Sequence, residues 1–283
     1  MKKLRIVFDG FWRTFNPHDN FIVRALKTNF DVEVLPVGEK SDIDALFYSV
    51  YSYHCLEYDC PRIFFTGENA FPDFNICDYG IGFELHEIGD RFFRYPVSLA
   101  DFHADYEDME QKNNSVPQNP FHRKFCAQVV SNVVYTDGFR DAFFNELCKY
   151  KQVDSGGRHL NNIGMPGGVP DKREFLENYK FSLAFENVGH PGYCTEKITQ
   201  SFAAHTIPIY WGDPNVADYF NEKSFININS FNTIEDAIEY IKKVDNDESL
   251  YLSMLRSEEH TSENHHSAMR RCIQTNNNLC STC

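Results

Sequence analysis

Short apolar runs recur along this chain, each followed by a turn-rich stretch or by an apolar pattern of helical period: LRIVF then FIVRALK, DVEVL, ALFYSVY, RIFFT, and later FCAQVV, FSLAF and IPIYW. Runs this short and this apolar are buried strands, and alternation with helical segments is the mark of βαβ units in an open α/β sheet. The pattern predicts strands over Leu4–Phe8, Asp31–Leu35, Ala45–Tyr51, Arg62–Thr66 and Tyr79–Phe83, an extended piece in RFFRYPV, and a helix over Phe21–Thr28. It lapses in the polar, acidic stretch ADYEDMEQKNNSVPQNPFHR and then resumes. The second block reads as strands over Phe125–Val130, Phe181–Phe185, Ile207–Trp211 and Ser224–Ile228. Helices are predicted over Gly138–Tyr150, Asp171–Tyr179, Thr195–Ala204 and Thr233–Val244, with VDSGGRHLNNIGMPGGVP as a loop. The expected organisation is a domain over 1–122, a second over 123–255, and a polar tail over 256–283.

A chain of 283 residues suits two such domains. Its formal net charge of −14 removes nucleic acid as a default partner, because phosphate neutralisation needs clustered Lys and Arg. The apolar run after Lys2 and Lys3 is too short for a leader or a membrane span and reads as the first strand. Nine cysteines, an odd number, read as free thiols of a reducing cytosol. The CxxC pair Cys280 and Cys283 has no βαβ context. Asp42/Asp44 and Asp245/Asp247 have the DxD form of metal-dependent sugar transfer, but they read as capping or turn residues, the second pair in a surface turn. His260, His265 and His266 belong to the polar tail. No Gly-x-Gly-x-x-Gly follows the first strand, and the loop with Gly156 and Gly157 lacks the Lys-Ser/Thr of a P-loop. That loop is expected to shape a ligand pocket or to move when a ligand binds.

The chemistry concentrates where FSLAF ends. The loop Asn187–Tyr193 follows, and a helix begins near Thr195. Ligands of open α/β sheets bind beyond the carboxyl ends of the strands, where helix N-termini offer free N–H groups and a partial positive charge. Lys197 in the first turn opposes that charge, a conflict that a bound phosphate would remove, while Glu196 suits the turn and can accept hydrogen bonds from sugar hydroxyls. The residues alone leave two readings open: a diphosphate site, or an ordinary helix capped by Thr195 with a solvated Lys197.

The long stretch YKFSLAFENVGHPGYCTEKITQSFAAHTIPIYWGDPNVADYFNEKSFININSF resembles the signature region of the α-1,3/4-fucosyltransferases, glycosyltransferase family 10, in its bacterial branch. The matching positions are Phe185-Glu186-Asn187, Tyr193-Cys194-Thr195-Glu196-Lys197 and Pro208 to Pro214. RIFFTGENAFPDFNICDYGIGFE and NVVYTDGFRDAFFNEL resemble two further segments of that family. The resemblance implies a GT-B fold, two Rossmann-like domains facing across a cleft, with an acceptor-binding N-terminal domain and a donor-binding C-terminal one. It implies inverting transfer of L-fucose from GDP-β-L-fucose to a GlcNAc (or Glc) hydroxyl of an oligosaccharide or lipid-linked glycan. Glu68 would be the catalytic base. Arg140 and Lys197 would bind the diphosphate, with Asn187, Tyr193 and Glu196 around the donor and Glu186 as a candidate for steadying oxocarbenium-like charge. No cofactor is required on this reading, a divalent metal being a stimulant at most, and no metal ligands are assigned. The expected location is the cytoplasm, with attachment at the inner face of a membrane as a variant. The rival readings are a same-fold transferase of another GDP-sugar and a non-catalytic module that binds sugar nucleotides or glycans.

Overall fold

The computed structural model describes residues 1–85, 88–95, 98, 117–131, 136 and 138–257. The chain divides into two compact units, Met1–Asp101 and Phe102–Cys283. The break read from composition falls later, at 122; residues 99–116, just upstream of it, and the tail histidines lie outside the described residues.

In the first unit six strands form one parallel sheet. They are β1 (Lys2–Asp9), β2 (Phe30–Leu35), β3 (Ala45–Tyr48), β4 (Arg62–Phe65), β5 (Tyr79–Gly82) and β6 (Phe92–Arg94), in the order β2-β1-β3-β4-β5-β6. The apolar runs of the central strands β1 and β3 are buried on both faces. Ile6 and Phe8 pack with Phe47 and with Ile22 and Val23 of helix α1 (Phe21–Lys27), whereas Val7 packs with Leu46, Tyr48 and Phe64. Asn20 caps α1, its side chain accepting the Val23 N–H at 3.0 Å. β3 ends at Tyr48, before the expected Tyr51, because the next amides turn back onto the end of β1: Ser49 N–H donates to Asp9 O and Tyr51 N–H to Gly10 O. A Cβ on Gly10 would lie 2.0 Å from the Ser52 nitrogen, so the crossing requires glycine.

The second unit holds β7 (Lys124–Gln128), β8 (Val153–Ser155), β9 (Tyr179–Phe185), β10 (Ile207–Trp211) and β11 (Ile226–Asn227), a parallel sheet ordered β11-β10-β9-β7-β8. Helices α2 (Phe139–Cys148), α3 (Lys172–Leu176), α4 (Glu196–Ala203), α5 (Ile234–Asn246) and α6 (Glu248–Arg256) accompany it. Phe181, Leu183 and Phe185 face Phe143 and Leu147 of α2 and Ile238 and Ile241 of α5. On the other face Ala184 and Tyr210 meet Ile198 and Phe202 of α4.

Four further elements differ from expectation. The helix expected over Asp171–Tyr179 is the shorter α3, because Tyr179 already pairs with Lys124 as the first residue of β9. β8 occupies what reads as loop: it is three residues long, holds a polar Asp154, and pairs only with β7 at the sheet edge. β11 is shorter than Ser224–Ile228 because Ile228–Ser230 turns into a 3₁₀ helix. α6 follows α5 at once, and Asp247 accepts the Leu250 N–H to cap it. Asp245 is not in a surface turn. It lies in α5, buried, and takes the Lys180 ammonium at 2.7 Å, the Tyr150 hydroxyl at 2.8 Å, and Lys151 as well. Asp44 accepts the Arg5 N–H at 2.7 Å, and Asp42 pairs with Arg5. The cysteines at 55, 60, 77, 126, 148 and 194 are free. Among the described residues no helix is long and apolar enough to cross a membrane.

Burial pushes the Asp245 carboxyl up, but Lys151, Lys180 and Tyr150 outweigh it and hold the group below the usual aspartate range. Its contribution is complete above the ordinary aspartate pKa and is lost as pH falls through the lowered one. Asp245→Ala leaves the Lys180 ammonium buried without its partner. Urea unfolding at neutral pH should register a loss of about 3–5 kcal/mol.

Candidate active site

The chain order of the second sheet reverses between β7 and β9: β8 lies on one side of β7, and β9 and β10 on the other. Such a switch point opens a crevice at the carboxyl ends of the strands. Two of the expected site residues bridge this one. Arg140, in the first turn of α2, donates from Nη1 to Asn187 Oδ1 at 3.3 Å, directly after β9. Arg140 is buried rather than a solvated helix charge, and its neighbour Asp141 pairs instead with His159 at 2.8 Å.

One residue earlier, Glu186 is fully buried. Its carboxylate accepts the Thr195 N–H at 2.8 Å, the Thr195 hydroxyl at 2.7 Å and the Lys197 ammonium at 3.0 Å. Thr195 sits at the N-cap position of α4, yet its side chain makes no capping bond; it donates to Glu186 and accepts from Lys197 at 2.9 Å. The conflict between Lys197 and the helix start is therefore relieved by a buried carboxylate within the chain. Glu196 Oε1 stands 3.6 Å from the same ammonium. Burial lowers the Lys197 pKa, but Glu186 and Glu196 raise it more, so the group is held protonated well above the ordinary lysine range. Glu196 is lowered: Lys197 and then Lys172 outweigh its burial. The Lys197 side chain keeps 20% of its surface exposed, whereas Glu186 keeps none. Lys197 can meet a ligand in this geometry and Glu186 cannot. Tyr193 is buried too and packs the loop rather than offering an open face.

The segment after β10 forms the floor. A Cβ on Gly212 would lie 2.3 Å from Glu186 Cγ, so the space a side chain would need is filled by the glutamate. Asp213, buried, accepts the Gly192 N–H and the Asn215 N–H, each at 2.9 Å, and so pins the 187–193 loop. Neither residue carries an expected role from sequence; the signal was a Gly-Asp pair directly after a buried strand. The glycines after β8 also serve backbone packing: a Cβ on Gly157 would lie 1.9 Å from Val130 O.

Glu68 belongs to the first unit, on the turn after β4. Its N–H donates to Thr66 Oγ1 at 3.0 Å and its carbonyl accepts from Ala70 at 2.8 Å. It is partly exposed, and among the described residues its carboxylate has no hydrogen bond or ion pair.

A buried arginine and a partly exposed lysine at helix starts, set at the switch point of a parallel sheet, are the kind of arrangement in which open α/β domains receive anions. The particular kind follows from comparison with known proteins. Residues 120–283 match the family described as glycosyltransferase family 10 (fucosyltransferase) C-term, and residues 6–101 match the alpha-(1,3)-fucosyltransferase FucT N-terminal domain. The chain belongs to glycosyltransferase family 10. It is 37% identical over 224 residues to the alpha-(1,3)-fucosyltransferase FucT of Helicobacter pylori, covering 69% of this chain and 46% of that protein. The chain thus spans about half the length of that curated relative, and less of a putative fucosyltransferase of Acanthamoeba polyphaga mimivirus (23%). A crystal structure of an alpha1,3-fucosyltransferase with GDP-fucose superposes with a TM-score of 0.77 at 30% identity, over 90% of this chain and 82% of that one. The fold class is α/β of the GT-B kind, with two Rossmann-like parallel-sheet units.

Gly212→Ala should displace Glu186 and with it Lys197. Overpacking of this kind costs about 1–3 kcal/mol. Thermal unfolding should show that loss, and calorimetry should show GDP affinity falling by more than stability alone explains.

Proposed function

We propose that this chain is an inverting fucosyltransferase, moving L-fucose from GDP-β-L-fucose to a GlcNAc (or Glc) hydroxyl of a glycan with formation of an α-1,3 linkage. The observation that carries the reading is that Arg140 and Lys197 bond the adjacent residues Asn187 and Glu186 at the carboxyl end of β9, beside the switch point between β7 and β9. The solved relative with GDP-fucose supports the choice of donor.

GDP leaves with negative charge growing on its β-phosphate. Arg140 and Lys197 offset that charge, and the amides at the start of α4 stand behind them. Glu196, partly exposed beside Lys197, accepts hydrogen bonds from the fucose hydroxyls, and Asn187 orients the Arg140 fork. Glu68 takes the proton from the acceptor hydroxyl as its oxygen attacks the anomeric carbon. The exposed rings of Tyr51, Tyr53 and Phe71, on the loops after β3 and β4, offer faces on which acceptor sugars stack. Two cationic side chains take the part of a metal at the leaving group, so no divalent ion is required. The free, largely buried thiols fit a cytoplasmic setting. A lipid-linked acceptor would bring the protein to the inner face of a membrane.

Turnover of GDP-fucose with an N-acetyllactosamine acceptor, followed by NMR of the product linkage, tests the activity. Glu68→Gln should leave donor affinity near wild type and lower transfer by about two to four decades; near-normal transfer would remove Glu68 as the base. Activity should persist in EDTA. Complete loss with chelator, restored by manganese, would show that the two cations do not suffice for the leaving group.

A further inference from the structure

We propose that Glu186 is a positioning residue of the donor site: its buried carboxylate holds the Lys197 ammonium at the start of α4, facing the place where the donor's diphosphate binds. The inference rests on the reading of Lys197 as a diphosphate ligand.

Four observations meet on this carboxylate. First, it has no exposed surface, and both its oxygens are engaged by Thr195 and Lys197. Its influence on a ligand must pass through those partners. Second, lysine is a flexible point charge, and at a helix start the macrodipole drives it toward solvent. The 3.0 Å contact with Glu186 counters both tendencies, and the ammonium's remaining exposed side is left for a ligand. Third, Thr195 does not cap α4. A threonine at this position ordinarily bonds one of the first amides, but here its hydroxyl bridges Glu186 and Lys197, so no Thr195 side chain competes with an anion at the helix start. Fourth, the fold makes room for Glu186 at a specific place. Only a residue without Cβ fits at Gly212, and the hydroxyl of Tyr210 accepts the Asp213 N–H at 3.0 Å just beyond it.

The groups around the ammonium are Glu186 from the exit of β9, Glu196 in α4, and Tyr193 and Cys194 in the loop between them. Asp213, from the segment after β10, acts on Cys194, and Tyr210 of β10 interacts with both Cys194 and Glu186. With Glu186 neutralised, Glu196 is the remaining carboxylate beside Lys197 and the cost of burial is opposed less. The lysine pKa then falls toward the range in which binding is measured.

The test is GDP affinity by calorimetry from about pH 7 to pH 9, around and below the ordinary lysine range, for wild type, Lys197→Ala, Glu186→Gln and Glu186→Asp. The wild-type profile contains guanine's own titration and serves as the baseline. Glu186→Gln should weaken GDP by about tenfold at neutral pH and add a further decline toward alkaline pH that wild type lacks. Glu186→Asp, which restores the charge, should remove that added decline. In the Lys197→Ala background, Glu186→Gln should change neither affinity nor profile. A Glu186→Gln variant with wild-type affinity and profile overturns the positioning role while leaving the donor site intact. If Lys197→Ala itself binds GDP normally, the diphosphate reading of Lys197 fails, and the positioning role fails with it. Should Glu186→Gln unfold, Thr195→Val removes the hydroxyl that bridges Glu186 and Lys197 while keeping both charges: weaker GDP binding at neutral pH with a wild-type pH profile supports the role, and wild-type affinity overturns it.

Discussion

A carboxylate with no exposed surface at the end of a central strand is an expensive thing to keep ionised. Burial, with Glu196 beside it, holds the Glu186 carboxyl above the usual glutamate range, and Lys197 and Thr195 offset only part of that rise. The pair is mutually dependent: the lysine lowers the cost of a charge on the glutamate, and the glutamate holds the lysine at a helix start that would otherwise repel it. Much of the surrounding sequence follows from that arrangement. Position 212 must be glycine because the glutamate occupies its Cβ space, and Thr195 gives up capping to complete the pair. Asp213 then ties the intervening loop down through Gly192.

The two parallel sheets have the same kind of topology but make opposite use of it. In the first unit the chain reverses between β1 and β3. That switch point is closed by the chain itself: Gly10 lies against the Ser52 backbone, the Ser52 hydroxyl bonds Asp9, and Tyr51 bonds Gly10. In the second unit the reversal between β7 and β9 is spanned by side chains, Arg140 to Asn187, which can exchange partners when a ligand enters. A backbone crossing at 2.0 Å from a virtual Cβ leaves no such freedom. This difference fits the proposed anion site in the second unit.

Most strands were legible because each is buried on both faces and so reads as an unbroken apolar run, as FSLAF and IPIYW do. β8 was not, since an edge strand of three residues with Asp154 in the middle needs no apolar run. α6 was hidden because it restarts one residue after α5, on a capping aspartate that looks like a turn. The site residues were legible in part. Spacing placed Glu186, Glu196 and Lys197 around one loop, but it could not tell which faced inward. Nothing local marks Glu186 as buried and Lys197 as open, for that depends on Gly212, which lies 26 positions downstream of Glu186 and next to it only because β9 and β10 pair. Arg140 read equally well as a surface charge until α2 was seen to direct it toward Asn187.

The charge balance bears on how such a site can work in a chain of net charge −14. In contact at the site are two carboxylates, Glu186 and Glu196, and two cations, Lys197 and Arg140, with Lys172 acting on Glu196 from α3. The local sum is close to neutral. On the proposed reading, attraction for a diphosphate therefore cannot come from a broad positive field, which the rest of the acidic chain would oppose. It must come from orientation. Glu186, with no exposed surface, meets the ammonium on its buried side, and the remaining exposed surface of Lys197 stands in the first turn of α4. An anion arriving there meets the cation at contact distance and the buried carboxylate only from beyond it. At short range in a partly buried site, that difference in distance is enough to make a neutral cluster selective for negative charge.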